Sequence, residues 1–225
     1  MEPLAVGWHA VKISPFKKGD TVLILGGGPI GLAVIQALAA KEADKIIVSE
    51  MAPKRMEFAK HFGASHVVDP SKENVEKRVK EICGGVGVNV VFDCAGVQPA
   101  LDQAILALRA RGTLVNIAVW EKNATIWPSH FLFREPSTFS VPAVASSTML
   151  TDVGERKYMG VATYQEGDYQ EVLNAIESGK LSVKFWPKAP GWLTLDRQHA
   201  AGRYDNEEDQ DRRRGGRRLQ SADQR

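Results

Sequence analysis

The amino-acid sequence predicts an α/β fold built on a doubly wound parallel sheet. Two observations lead to this prediction. From Thr21 to Ala118, short apolar runs typical of buried strands alternate regularly with segments of helical period, as in a parallel sheet that is covered on both faces. Glycines follow the helical segments, where a left-handed residue ends a helix. The 225 residues, 44% of them hydrophobic, are enough to bury a full core in one domain.

The first half of the sheet is predicted from the first 63 residues. A strand at Thr21–Leu25 is followed by a helix at Ile30–Lys41. Alanines of this helix form a small-residue face able to lie close to a sheet: Ala33, Ala37 and Ala40. The second strand, Lys45–Ser49, leads to a helix at Pro53–Phe62, which opens on a proline and is stopped by Gly63.

The second half is predicted from the same alternation. A third strand at His66–Asp69 precedes a helix at Lys72–Cys83, whose apolar side chains recur at spacings of four and three. A fourth strand at Asn89–Phe92 precedes a helix at Pro99–Arg109, and Thr113–Ala118 is the fifth strand. Beyond Glu121 the rhythm fails, and only a strand at Lys157–Ala162 and a helix at Tyr169–Ser178 are predicted there.

Composition and charge exclude several classes of protein. The formal net charge of +2 argues against a nucleic-acid-binding surface, and the arginines at 212–214 and 217–218 are offset by nearby acids. The uncharged stretch from Thr21 to Ala40 is broken by three glycines and a proline, so it predicts no membrane span. The start lacks the features of a signal peptide, so we expect a cytoplasmic protein.

A glycine motif is the strongest functional signal. Gly26-x-Gly28-x-x-Gly31 directly follows a strand and opens a helix. The first glycine permits a tight turn, the second lets backbone approach a pyrophosphate, and the third lets helix and strand pack closely. The motif predicts a Rossmann-type fold whose pyrophosphate lies at the helix N-terminus, on these residues: Gly26, Gly28, Pro29, Ile30 and Gly31. The alternative is a plain strand-to-helix turn.

An acidic residue at the end of the second strand supports the same interpretation. Glu50 lies nineteen residues after Gly31, where a carboxylate accepts hydrogen bonds from the adenosine ribose hydroxyls. The same carboxylate repels a 2′-phosphate, so NAD is favoured over NADP, although Lys54 and Arg55 can swing toward a phosphate. The alternative for Glu50 is a solvated carboxylate at a strand end.

Four segments carry a family resemblance: EPLAVGWHAVKISPFKKGDTVLILGGGPIGL, KIIVSE, VVFDCAGVQPALDQAI and RKYMGVATYQEGD. The chain resembles zinc-dependent medium-chain alcohol dehydrogenases, in the branch of polyol and (R,R)-2,3-butanediol dehydrogenases, over residues 1–133 and 155–181. The resemblance implies reversible hydride transfer between a secondary alcohol, such as a vicinal diol or polyol, and NAD, with zinc polarising the oxygen.

The resemblance also implies further contacts and partners. The cofactor would touch two more loops, at Cys94, Ala95 and Val97 and at Ile117, Ala118 and Val119. The substrate would be a small alcohol or ketone. Members of the family assemble through the Rossmann domain, so a homo-oligomer is implied, with 117–131 forming part of the contact.

The zinc site departs from the family pattern. The family holds its catalytic zinc mainly by a Cys and a His-Glu pair in an N-terminal GroES-like domain, and this sequence has no counterpart of them. Glu2 matches the acidic position of the family's EPL segment, but a catalytic zinc usually needs three protein ligands. A disordered terminal acid is therefore the alternative for Glu2, and no catalytic residue is assigned.

By itself the chain should bind cofactor weakly and turn over little alcohol; the rival is a non-catalytic NAD(P)-binding module or an inactive gene-model fragment.

Other polar residues are interpreted as structural. The five histidines show no metal-ligand spacing, and His9 is expected to pack or hydrogen-bond locally. Cys83 and Cys94 are expected to be ordinary half-buried thiols, and Asp93 to cap backbone.

Two segments do not fit the family. Removal of 135–153 joins Phe133 almost directly to Glu155 and restores the sequence that members of the family have at that junction. Codons for 135–153 and for a second piece that starts at Val183 can contain splice-donor and branch-point sequences, so we interpret these segments as products of unremoved introns. The predicted organisation is a remnant linking to the catalytic domain at 1–14, the Rossmann domain at 15–134, an aberrant insertion at 135–153, the last strand and helix at 154–181, and an aberrant, disordered tail at 182–225.

Overall fold

The computed structural model describes residues 2–126, 156–161 and 163–183. The elements described below all lie in one compact unit, Met1–Ser182. The predicted insertion at 135–153 and residues 184–225 of the predicted tail lie outside the described residues.

The described residues form six helices and six strands. The helices are α1 Glu2–Ile13, α2 Pro29–Ala40, α3 Pro53–His61, α4 Val75–Ile82, α5 Gln98–Ala107 and α6 Glu166–Glu177. The strands are β1 Thr21–Leu25, β2 Lys45–Ser49, β3 His66–Val68, β4 Val88–Asp93, β5 Leu108–Asn116 and β6 Lys157–Gly160. No helix among the described residues is long and apolar enough to cross a membrane.

The strands form one parallel sheet in the order β3-β2-β1-β4-β5-β6. This order confirms the predicted doubly wound Rossmann-type fold. It reverses between β1 and β4, which is the topological switch point where ligands of such sheets bind. Leu25 pairs with both Ser49 and Asp93, and Asp93 pairs with Asn116. The carboxyl ends of four strands are therefore level at one edge of the sheet.

The central strands are apolar on both faces because helices cover both. Leu23 and Leu25 of β1 pack in a buried cluster with Leu101 and Ile105 of α5. Ile24 is also fully buried, although it points to the opposite face. This continuous burial is what made the strands recognisable in the sequence.

Most predicted elements are confirmed with shifted ends. The predicted helix at Lys72–Cys83 begins only at Val75, because the Asn74 side chain accepts the Lys77 N–H at 2.8 Å and caps the helix there. The predicted helix end at Arg109 is wrong, because β5 already begins at Leu108, which pairs with Val88 across a register shift.

Helix α1 was not predicted, and it changes the environment of α2. Two consecutive turns of this helix contain buried residues, among them Leu4, Ala5, Gly7 and Trp8. A Cβ atom on Gly7 would lie 2.7 Å from the Cβ atom of Ala33, so the two helices cross in close contact. The prediction that Ala33 lies against the sheet is therefore wrong: it lies against α1.

Candidate functional site

The turn after β1 has a backbone that requires glycine. Gly26 has a φ of +88° and donates its N–H to the Ser49 carbonyl at 2.8 Å. A Cβ atom on Gly31 would lie 2.0 Å from the Gly26 carbonyl oxygen, a distance that no side chain tolerates. The start of α2 therefore packs directly on the turn, which is the role predicted for the first and third glycines of the motif.

The second glycine of the motif lies beside open space. Gly28 precedes α2, with Pro29 at the first helical position and no side chain capping the helix. Apart from its two neighbours in the chain, no described residue has an atom within 4 Å of the Cβ position of Gly28. The N–H groups of Ile30 and Gly31 belong to the first helical turn, which has no carbonyl partners one turn earlier. Together with the helix dipole, this geometry suits an anion.

Glu50 is held in place by backbone. Its Oε2 atom accepts the Gly27 N–H at 2.7 Å, and its Oε1 atom accepts the N–H groups of Met51 and Ala52, both at 2.8 Å. The residue is 8% exposed, so the alternative of a solvated carboxylate is wrong. Arg55 Nη1 lies 3.9 Å from Oε2. A carboxylate offers about four acceptor positions, so one remains after these three N–H groups.

Gly27 belongs to the site although the motif does not include it. A Cβ atom on this residue would lie 3.2 Å from Glu50 Oε2, so a side chain here would press on the carboxylate. The sequence signal for this role was that residues 26–28 are all glycine, whereas the motif requires glycine only at 26 and 28.

Asp93, at the end of β4, organises the loop that follows. Its Oδ1 atom accepts the N–H groups of Ala95 at 2.9 Å and Gly96 at 3.0 Å, which confirms the predicted backbone capping. Its carbonyl accepts the N–H groups of Ile117 and Ala118 at 2.9 and 3.0 Å. The two loops predicted to touch the cofactor, 94–97 and 117–119, are thus joined through one residue.

The exposed side chains of these loops are apolar. Val97 is 50% and Val119 93% exposed at the carboxyl edge of the sheet. Cys94, in the first of these loops, is half-buried, and burial together with the charge of Asp93 raises the pKa of its thiol. Burial also raises the pKa of the Cys83 thiol. Both cysteines are free, as predicted, and neither is suited to act as a nucleophile at neutral pH.

The structure brings most of the predicted cofactor residues to one edge. The glycine turn follows β1, Glu50 follows β2, and the two loops follow β4 and β5, so all lie at the carboxyl ends around the switch point. Glu2 lies at the exposed start of α1. Within residues 2–126, 156–161 and 163–183, no three His, Cys, Asp or Glu side chains are grouped as a metal site.

A second polar cluster joins α1 to α6. His9 Nδ1 lies 2.6 Å and Lys12 Nζ 3.0 Å from the two carboxylate oxygens of Asp168, whose side chain is fully buried. Lys12 and the Trp8 indole N–H also contact Glu171, at 2.5 and 2.7 Å. His9 packs in the interior, as expected, but the expected local hydrogen bond is wrong, because its partner lies 159 residues further along the chain.

The charge of Asp168 is stabilised in spite of its burial. Burial acts to raise the pKa of this carboxyl, but the Gln165 N–H, Lys12 and His9 together outweigh it and hold the pKa below its usual value. Lys12 and the Trp8 N–H likewise lower the pKa of Glu171. The cluster is therefore an ion-paired contact between the two helices.

Comparison with known proteins gives one consistent answer. A family model described as zinc-binding dehydrogenase matches residues 29–178. The (R,R)-butanediol dehydrogenase of Saccharomyces cerevisiae is 38% identical over 189 residues, covering 82% of this chain and 44% of the yeast protein. The crystal structure of 2R,3R-butanediol dehydrogenase from Bacillus subtilis superposes with a TM-score of 0.68 at 35% identity, covering 80% of this chain and 46% of the other.

A further solved structure shows a nicotinamide cofactor in a similar fold. A protein from Sinorhizobium meliloti 1021, described as a zinc-binding dehydrogenase and bound to NADP, superposes with a TM-score of 0.67 at 28% identity, covering 81% of this chain and 48% of the other. The chain thus spans about half the length of the relatives it matches. The match over residues 29–178, together with the shared fold and the similarity to butanediol dehydrogenases, shows that this chain belongs to the zinc-binding dehydrogenase family.

Proposed function

We propose that this chain binds NAD at the β1–β4 switch point and serves reversible hydride transfer between that cofactor and a secondary alcohol, such as a vicinal diol or polyol. The observation that carries the proposal is the buried carboxylate of Glu50, fixed by three backbone N–H groups beside the open turn at Gly28. The vicinal-diol substrate is taken from the butanediol dehydrogenases that the chain resembles.

The residues present fit a dinucleotide. The open space at Gly28 and the first-turn N–H groups of Ile30 and Gly31 would hold the pyrophosphate. The remaining acceptor position of Glu50 would take a ribose hydroxyl. The bound nicotinamide supplies the carbon that accepts or donates hydride. The part of the protein is to hold and orient it.

The choice of NAD over NADP rests on charge. A 2′-phosphate on the adenosine ribose would lie against the Glu50 carboxylate, and like charges in a buried place repel. Arg55, 3.9 Å from that carboxylate, offsets part of the repulsion. We therefore propose a preference for NAD, although a relative of this family is bound to NADP.

The described residues fit a dinucleotide, but they do not fit a catalytic zinc ion. No group of three ligands is present among them, and Glu2 is exposed at the start of α1. A catalytic zinc usually needs three protein ligands. We therefore propose that the chain alone binds cofactor but turns over little or no alcohol.

Calorimetry on the folded chain tests the cofactor proposal. We expect NAD to bind about tenfold more tightly than NADP, the ratio given by about 1.4 kcal/mol. Replacing Lys54 and Arg55 together by alanine should weaken NADP more than NAD, because the cations can only favour the phosphate. Absence of heat with both cofactors would overturn the proposal.

A second candidate is a non-catalytic NAD(P)-binding module, favoured by the short span of the chain relative to its relatives. The two are separated by adding zinc, NAD and (R,R)-2,3-butanediol and following the absorbance of reduced cofactor. Zinc-dependent reduction of NAD decides for the enzyme. Binding of NAD without turnover is expected of both candidates, so only turnover discriminates between them.

We also propose self-association through the Rossmann domain, with residues 117–131 in the contact. Val119, at 93% exposure, is the apolar side chain that such a contact would cover. Analytical ultracentrifugation should show that the wild-type chain is a dimer or a larger oligomer. The variant Val119→Asp should be a monomer in the same measurement. A monomeric wild-type chain would contradict this.

A further inference from the structure

Asp93 joins three parts of the candidate site. Its side chain accepts the N–H groups of Ala95 and Gly96, and its carbonyl accepts those of Ile117 and Ala118. The next N–H, of Cys94, is donated to the Leu25 carbonyl at 3.0 Å, immediately before the glycine turn. The loops after β1, β4 and β5 therefore meet around one residue.

The loops are packed so closely that their positions depend on each other. A Cβ atom on Gly26 would lie 3.4 Å from the Cβ atom of Ala95. A Cβ atom on Gly96 would lie 3.1 Å from the Cβ atom of Ala118. Gly96 also has a φ of +64°, a conformation that the two hydrogen bonds to Asp93 Oδ1 help to fix. A shift of the 94–97 loop would thus move the 117–119 loop.

The side chain of Asp93 is not explained by stability alone. The residue is 1% exposed, and its Oδ2 atom has no hydrogen-bond partner among the described residues. Burying an unpaired polar atom destabilises the folded state, because the atom loses its hydrogen bonds to water. Such exceptions to polar satisfaction call for a reason other than folding, and functional sites are where they concentrate.

The order of the strands says which half of the dinucleotide these loops would meet. Glu50, the proposed ribose partner, follows β2 on one side of β1. A dinucleotide crosses the switch point, with one mononucleotide on each half of the sheet. If the adenosine lies on the β2 side, the nicotinamide lies on the side of β4 and β5, beside the loops that Asp93 joins.

We infer that Asp93 is a positioning residue that holds the 94–97 and 117–119 loops in the arrangement that receives the nicotinamide half of the cofactor. The inference rests on the proposed cofactor site. It assigns no contact between Asp93 and the reacting atoms. Asp93 acts through the backbone of the loops, so its removal should affect one half of the cofactor and spare the other.

The test compares NADH with ADP-ribose, which contains the adenosine and pyrophosphate but no nicotinamide. In Asp93→Ala, which removes the acceptor, the affinity for NADH should fall on the order of tenfold, while that for ADP-ribose changes less than about twofold. The fluorescence of bound NADH should also move toward that of the free cofactor, because its ring is no longer held. Asp93→Asn keeps one side-chain oxygen as acceptor and should restore most of the NADH affinity.

A matched control is Asp102→Ala on α5. This aspartate is exposed, and among the described residues it accepts a hydrogen bond from the Gln98 side chain at 2.7 Å. Its replacement should leave the affinities for both ligands unchanged. If Asp93→Ala does not fold, Gly96→Ala serves instead, because its Cβ atom would press on Ala118 while Asp93 stays intact; it too should weaken NADH selectively.

The outcomes separate this inference from the proposed function. Equal losses of NADH and ADP-ribose affinity in Asp93→Ala or in Gly96→Ala, or no loss of either, would overturn the positioning role while leaving the cofactor site intact. Failure of the wild-type chain to bind both ligands would overturn the proposed function, and the inference with it.

Discussion

Gly28 and Gly31 stand three residues apart in one turn, yet their surroundings are opposite. The Cβ position of Gly28 is open, whereas that of Gly31 collides with the Gly26 carbonyl oxygen at 2.0 Å. The motif already assigns the two glycines different roles, approach of a pyrophosphate at Gly28 and close packing at Gly31. At the scale of single residues, the structure separates a glycine needed for folding from one that leaves space for a ligand.

The same substitution should therefore have different effects at these two positions. Gly31→Ala should lower the free energy of unfolding by about 3 kcal/mol or more, because backbone cannot move aside as a side chain can. Gly28→Ala should cost about 1 kcal/mol, the loss of a favourable helix N-cap. It should nevertheless abolish NAD binding, because the methyl group fills the space proposed for the pyrophosphate. Urea unfolding and calorimetry on both variants check this, and unimpaired NAD binding by Gly28→Ala would refute the use assigned to that space.

Residue types and spacing predicted the three glycines and the position of Glu50, because the Rossmann motif fixes them along the chain. They did not predict the contact of Gly27 with Glu50 or the hydrogen bonds of Asp93. These depend on distances between neighbouring strands, which no local pattern records. The place of the NAD-binding residues stays a prediction until binding is measured.

At the scale of elements, α1 is the main feature that the sequence did not reveal. The segment from Glu2 to Ile13 contains a proline, a glycine and a histidine, none of which favours a helix interior. Its helix is stabilised by packing on α2 and by ion pairs with α6, contacts made by residues distant in the sequence. The strands, by contrast, were predicted well because burial on both faces leaves a continuous apolar run.

Two glycines in helices should respond in opposite directions to alanine. Gly7→Ala should destabilise the protein by about 1–3 kcal/mol, because its methyl group would lie 2.7 Å from Ala33 and separate α1 from α2. Gly167→Ala should stabilise it by up to about 1 kcal/mol, since nothing lies within 4 Å and alanine favours the helix. Thermal unfolding measures both; a stabilising Gly7→Ala would contradict the close crossing of α1 and α2.

At the scale of the whole molecule, Asp168 ties the start of the described chain to its last helix. Its pKa is lowered in the folded protein, so at a given pH in the titration range this carboxyl group binds fewer protons when the chain is folded than when it is unfolded. Its contribution to stability is present above the usual carboxyl pKa of about 4 and is lost as the pH falls through the lower folded value. Lys12, His9 and the Gln165 N–H are the groups that face it.

Acid should therefore weaken the wild-type chain more than a variant without this carboxylate. We expect Asp168→Asn to be less stable at pH 7, where it leaves Lys12 and His9 without their buried partner. Its free energy of unfolding should then decline less steeply below about pH 4. Urea unfolding across this range measures both slopes. Glu171→Gln, whose side chain is 42% exposed, should show a smaller effect; parallel slopes for wild type and Asp168→Asn would contradict the assignment.

The three backbone hydrogen bonds to the Glu50 carboxylate have a thermodynamic consequence for ligand binding. Immobilising a flexible side chain on association costs about 0.5–1.5 kcal/mol in lost rotamers. The Gly27, Met51 and Ala52 amides already confine this acid in the absence of a guest. If a ribose binds there as proposed, it meets a preorganised acceptor, and binding removes little further torsional freedom from Glu50.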